Sequence, residues 1–138
     1  MNLQNIVLSL IAASSLASVE AAAAHDVREI VKPTFSMAIP NIPGKSLIAV
    51  EVNYPPGGAS HPHSHANSAF IYAYVVSGSV VSKVDDQPEH VYKAGESFFE
   101  EPGSLHKVSR NASKTEPAKL LAVFVVDSDN KQLTINAK

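Results

Sequence analysis

The stretch Ser60-His61-Pro62-His63-Ser64-His65 carries three imidazoles at alternate positions, and a further one stands about forty residues on at His106. In an extended strand, side chains two residues apart point to the same side, so His63 and His65 present two nitrogen donors in one direction, within reach of one ion. A third donor has to come from another strand. His106 follows the turn Pro102-Gly103, and an antiparallel strand starting there would bring it opposite the pair. Neutral imidazole suits Fe, Zn, Cu, Ni and Mn alike, so this donor set points to a metal centre without choosing the ion. His61 shares the parity of the pair and is an additional ligand candidate, although Pro62 and its place before the pair favour the rim of a site.

Other side chains could act beside such an ion. Glu100 and Glu101 flank the Pro-Gly turn next to His106 and could supply a base or a replacement carboxylate ligand; the competing reading turns both to solvent. Tyr72 and Tyr74 fall in phase with Phe70 and Val76, which reads as packing that lines the interior, where a phenol could also donate to a substrate. Asn111-Ala112-Ser113 is an N-glycosylation sequon, meaningful on a secreted eukaryotic chain. Cysteine is absent from all 138 residues, which excludes disulfides, zinc ribbons, iron–sulfur clusters and thiol nucleophiles.

The elements that would position these groups read as short strands. Pro and Gly recur too often for long helices: Pro33, Pro40, Pro43-Gly44, Pro55-Pro56-Gly57-Gly58, Gly78, Pro88, Gly95, Pro102-Gly103, Pro117. From Ser46 to Tyr54 the alternation is clean, with Ile48, Val50, Val52 and Tyr54 on one face. Ala69–Val76, Ser79–Val84, Glu89–Tyr92, Ser97–Glu100, Leu105–Ser109 and Ala118–Val126 are further candidates, evenly spaced as in a sandwich or barrel. Ala118–Val126 is almost continuously apolar and should be the central strand. Asp127–Lys138 reads as an edge or a loose tail.

The first 24 residues differ from the rest. They hold 16 hydrophobic residues and one charge, Glu20, and end in Ala22-Ala23-Ala24. This is the pattern of a cleaved secretory signal, and it implies a secreted chain. The remaining residues, 25–138, are enough for a single domain. A net charge of -2 with no block of like charges argues against a nucleic-acid footprint or a polybasic membrane anchor, and leaves a small-molecule ligand as the expected partner.

Gly57, five residues, His63-Ser64-His65 and later Gly78 resemble the first cupin motif; Gly95, seven residues, Gly103, two residues and His106 resemble the second, with Asn111 close to its terminal Asn. The resemblance spans roughly residues 46–126. It implies an all-β, cupin-type jelly-roll barrel with a metal held inside by His63, His65 and His106. It also implies an association of copies, through sheet faces or through an exchanged N-terminal strand such as Pro33–Ile39, and hence a homodimer. The chain departs from the pattern at one chemically important place. The motif's Glu, four or five residues after its second His, is replaced by Ala69 and Phe70, and counting back seven from Gly78 reaches Ile71. Three-His cupins without that acid resemble thiol and diketone-cleaving dioxygenases, so the resemblance implies an Fe(II) oxidoreductase, with Mn, Ni, Cu or Zn as other occupants. Two alternatives stand beside it: a redox-neutral isomerase, cyclase or decarboxylase, and a non-catalytic germin-like binding protein.

Overall fold

A computed structural model of the protein describes residues 26–130 and 132–138. The signal expected at 1–24 lies outside the described residues. Among the described residues there are ten strands: β1 Ile30–Ala38, β2 Lys45–Tyr54, β3 His63–His65, β4 Phe70–Ser77, β5 Ser79–Val84, β6 His90–Lys93, β7 Ser97–Glu100, β8 Leu105–Asn111, β9 Ala118–Asp127 and β10 Thr134–Asn136. No helix occurs among the described residues. The strands form two five-stranded sheets, ordered β1-β2-β9-β4-β7 and β10-β3-β8-β5-β6, with every strand ladder antiparallel. All seven strands expected from alternation are present, their ends shifted by at most two residues.

The two sheets enclose one core. β9 occupies the centre of the first sheet and alternates strictly, with Ala118, Leu120, Ala122, Phe124 and Val126 buried and the residues between them half-buried. β2 does the same with Val50, Val52 and Tyr54 facing inward. Tyr54, Ile71, Val75, Val80 and Val126 are almost fully buried, each of the aliphatic ones worth about 1.5–3 kcal/mol in apolar area removed from water.

The phase assigned to β4 is corrected. Ile71, Ala73 and Val75 point inward, while Phe70, Tyr72 and Val76 are exposed and Tyr74 is half-buried on the outer face. Tyr72 and Tyr74 therefore do not line the interior. Pro33–Ile39 is largely β1, which pairs with β2 of its own chain. The polar tail supplies β10, which pairs with β3 beside two of the histidines.

Gly78 makes the tight link between β4 and β5 at φ +71°, and a Cβ there would lie 2.6 Å from the Pro117 carbonyl oxygen and 2.8 Å from Ala118 Cα. Gly44, at φ +79°, has open space around it. Gly78→Ala is expected to lose about 3 kcal/mol or more in denaturant unfolding, combining backbone strain with overpacking, against about 1 kcal/mol for Gly44→Ala.

Candidate metal centre

β3 sits between β10 and β8, and its register pairs His63 with His106 directly across the ladder. The pairing is what brings the distant histidine home. His63 and His65 share the inner side of β3, and the donor atoms of His63, His65 and His106 lie within 4.8 Å of one another. All three residues are buried. The constellation expected from the spacing is assembled.

Backbone groups set the ring orientation of the first two. His63 Nδ1 donates to the His61 carbonyl at 2.7 Å and His65 Nδ1 donates to the Leu133 carbonyl at 3.1 Å. In the neutral rings this leaves Nε2 as the lone-pair atom, the arrangement by which outer groups fix a ligating tautomer. Burial pushes the His63 imidazole below its ordinary value against the opposing hydrogen bond to the His61 carbonyl, with smaller contributions in the same direction from His106 and His65. The neutral, ligating form is thereby favoured. His106 is bonded at both nitrogens: Nδ1 lies 3.0 Å from Glu100 Oε1 and Nε2 lies 2.8 Å from the Ser82 hydroxyl. Coordination by His106 requires one of these two bonds to give way.

Glu100, one of the two acids offered as a replacement for the missing motif carboxylate, stands beside the histidines. It is 3% exposed, at the end of β7, with Oε1 on His106 and Oε2 3.4 Å from His65 Nε2. β7 pairs with β4 so that Glu100 stands opposite Ile71, the position reached by counting back seven from Gly78. The carboxylate missing from one strand is supplied by its neighbour. Burial works against its ionisation, but the contact with His106 Nδ1 and the pull of the two neighbouring imidazoles dominate and hold it at about 2. Its Oε2 has no hydrogen-bond partner. A neutral His65 that donates from Nδ1 turns a lone pair toward that oxygen, so the two acceptors need a positive centre between them, a proton or a metal ion. Three imidazoles and one buried carboxylate with an orphaned oxygen fit a divalent cation.

The remaining candidates lie elsewhere. Glu101 is exposed and borders a separate groove with Ser82, Tyr92 and Phe98. His61 stays at the rim, its Nδ1 2.9 Å from the Arg28 guanidinium, outside the histidine cluster. Asn111 is buried, and its Nδ2, the atom a glycan would occupy, donates to the carbonyls of Tyr54, Pro55 and Glu116. It is a structural link between loops, so the sequon does not offer an attachment point in the folded chain.

The histidine cluster opens into a cavity of about 530 Å³. The second sheet lines it with the three histidines and Ser109; the first sheet lines it with apolar Val50, Val52, Ile71, Ala73, Leu120 and Phe124, and adds two polar groups, Tyr54 from β2 and Glu100 from β7. A family comparison covers this whole region, matching the cupin domain over residues 50–124. The chain belongs to the cupin family. This cupin has the fold of an uncharacterised Klebsiella pneumoniae protein with a double-stranded β-helix domain, at 18% identity and TM-score 0.60, covering 77% of this chain and 84% of that one. Its fold is also similar to that of an oxalate oxidase, at 21% identity and TM-score 0.60, covering 79% of this chain and 55% of that one. The DMSP lyase DddQ of Ruegeria pomeroyi matches at 20% identity and TM-score 0.54, covering 66% and 43%. No match was found among curated proteins.

Tyr54 is the cavity residue that spacing alone left unassigned to the site, although its inward parity on β2 was readable. Its hydroxyl bonds to Ser109 at 2.6 Å and Ser60 at 3.0 Å, and burial raises its pKa. The phenol therefore stays protonated and can donate to a bound anion. Tyr54→Phe should keep metal stoichiometry unchanged in elemental analysis while costing about 1–2 kcal/mol in thermal unfolding, because Ser109 is left without its partner.

Proposed function

We propose that this cupin is a metal-dependent oxidoreductase, dioxygenase-like, acting on a small organic molecule with a polar head and an apolar body. The carrying observation is the pairing of three histidines and a buried carboxylate with an apolar facing wall in one cavity. Fe(II) is the favoured occupant, with Mn, Ni, Cu and Zn accepted by the same donors. A redox-active ion held there supplies Lewis acidity and electron transfer. The chain supplies the rest. Glu100 offsets part of the ion's charge, the Val50–Val52–Phe124 wall excludes water from the substrate body, and Tyr54 orients or protonates a substrate oxygen. Removal of residues 1–24 and secretion complete the proposal, following the leader pattern described above.

Oxygen uptake by anaerobically iron-loaded protein tests it, across diketones, thiols, flavonols and phenols. Oxalate joins the panel because of the fold shared with an oxalate oxidase. Turnover-linked oxygen consumption is expected with one class; silence throughout, together with failure to retain iron, sinks the proposal. Glu100 also gives a second reading. A carboxylate beside the histidines weakens the preference for an anionic substrate plus dioxygen, and with Tyr54 as proton donor it suits a redox-neutral lyase or isomerase. Activity with Zn(II) under nitrogen distinguishes this from the first.

A further inference from the structure

The two sheets part along one side, where β6 edges the second sheet and β7 edges the first. A groove of about 550 Å³ opens there, within the size range of small-molecule sites, and it shares no lining residue with the metal cavity. Its floor is aromatic. Tyr92 on β6 and Phe98 on β7 lie 4.7 Å apart between centroids, and His90 backs Tyr92 at 4.5 Å, so the rings form one braced π surface. Its charge is of one sign: Asp85 and Glu101 line it, and no lysine or arginine does. The two acids come from separate turns that are stitched together. Asp85 N–H donates to the Leu105 carbonyl at 2.8 Å, and Leu105 N–H donates to Asp85 Oδ1 at 2.8 Å. The neighbouring cations are engaged on the outer face, Lys107 with Asp86 and Arg110 with Glu89, and Lys83 takes that face by its alternation with Ser82 and Val84. A buried hydroxyl completes the groove. Ser104 is 8% exposed and lines it, and its Oγ has no hydrogen-bond partner among the described residues, although its N–H donates to the Glu101 carbonyl. A polar group so placed costs stability until something satisfies it.

We infer that this groove binds a small organic amine in its protonated form, the apolar body lying on Tyr92 and Phe98 and the ammonium held by Asp85, Glu101 and Ser104. An ammonium group has three N–H donors and no acceptor, which suits two carboxylates and one hydroxyl oxygen that all accept. The negative faces of the two rings add to the attraction. An anion meets two like charges with no base to offset them. A neutral molecule of the same shape gains the apolar contact alone. The groove also has a particular neighbour: Ser82 lines it, and the Ser82 hydroxyl lies 2.8 Å from His106 Nε2. The amine therefore sits one hydroxyl behind a histidine of the metal centre, on the opposite side of that ring from Glu100.

Calorimetric titration of the purified full chain with 2-phenylethylammonium tests this, with 2-phenylethanol and phenylacetate as the neutral and anionic counterparts. The cation should bind saturably with a Kd of about 1 mM or below, at least about 10-fold more tightly than the alcohol, and the anion should not bind. Added salt should narrow the gap between cation and alcohol. Amide NMR shifts should centre on Asp85, Tyr92 and Ser104. Glu101→Gln should weaken the cation about 5–10-fold and leave the alcohol unchanged, whereas Glu89→Gln, an acid on the outer face, should alter neither. Tyr92→Leu should weaken both ligands. If Tyr92→Leu fails to fold, the exposed Glu101 position carries the test. Equal affinity for cation and alcohol, shifts centred on His63 and His65, a Glu101→Gln variant that binds the cation as wild type does, or no saturable binding each overturns the inference.

Discussion

Glu100→Gln should bind a divalent metal roughly 10–100-fold more weakly than wild type, read from occupancy after dialysis against chelators of graded strength. The substitution keeps the volume and one acceptor oxygen, and removes the buried negative charge that faces His65 and His106. Without metal the effect on stability is smaller. An amide nitrogen in place of Oε2 can donate to the His65 Nε2 lone pair 3.4 Å away, which offsets part of what the ionised carboxylate contributes. The metal-free variant should therefore melt only slightly below metal-free wild type at neutral pH and should lack the carboxylate stage of acid unfolding, a result that general damage to the fold would not give. Glu101→Gln serves as the control and should leave both quantities unchanged, since its side chain lies outside the cluster. Equal metal affinity in Glu100→Gln and wild type would mean that the three histidines bind alone and that the carboxylate is incidental.

The histidine triad was legible because its two spacings act through simple geometry: alternate residues share a side of β3, and a turn before His106 starts the strand that pairs with it. Glu100 was legible as a candidate from its place beside the Pro-Gly turn, but nothing in the sequence separated it from Glu101 or from a solvent-facing fate. Motif spacing counts along one strand, whereas this carboxylate reaches the same point across a ladder, from β7 to the place facing Ile71 on β4. A sequence carries no ladder register between strands that lie 29 positions apart. The parity of β4 failed for a different reason. Ile71, Ala73 and Val75 alternate with Phe70, Tyr72, Tyr74 and Val76, so both faces are apolar and the larger residues were assigned inward. They face outward because the inner side of β4 borders the cavity, which the smaller Ile71 and Ala73 leave open. β9 shows the same ambiguity, reading as nearly continuous apolar sequence although its inner face alone is fully buried. β2 was assigned correctly because Glu51 and Asn53 mark its outer face with polar groups.

Metal removal should lower the melting temperature by about 10 °C at neutral pH, and the gap should close as the pH falls toward 5. An ion present at about 100 times its dissociation constant stabilises the folded state by about 2.7 kcal/mol, and a domain of this size shifts by about 4 °C per kcal/mol. Two buried groups set the direction of the pH effect on the protein itself. His63 lies below its ordinary value of 6.5 when folded, chiefly through burial. The unfolded chain takes up that proton first, so stability declines as the pH drops below about 6.5, and the neutral form that is favoured above it is the form able to ligate. Glu100 lies at about 2 against an ordinary 4.5. Its contribution is complete above about 4.5 and is lost between there and about 2. Acid therefore weakens the metal-free fold in two stages, the first through an imidazole and the second through a carboxylate, while protons compete directly with the ion for the same nitrogens. Thermal melts with and without chelator, from pH 8 to pH 2, separate the two effects. His63→Ala should show no gap at any pH and should lose the first stage but keep the second. A gap that persists unchanged at pH 5 would place the stabilising ion on oxygen ligands away from these histidines.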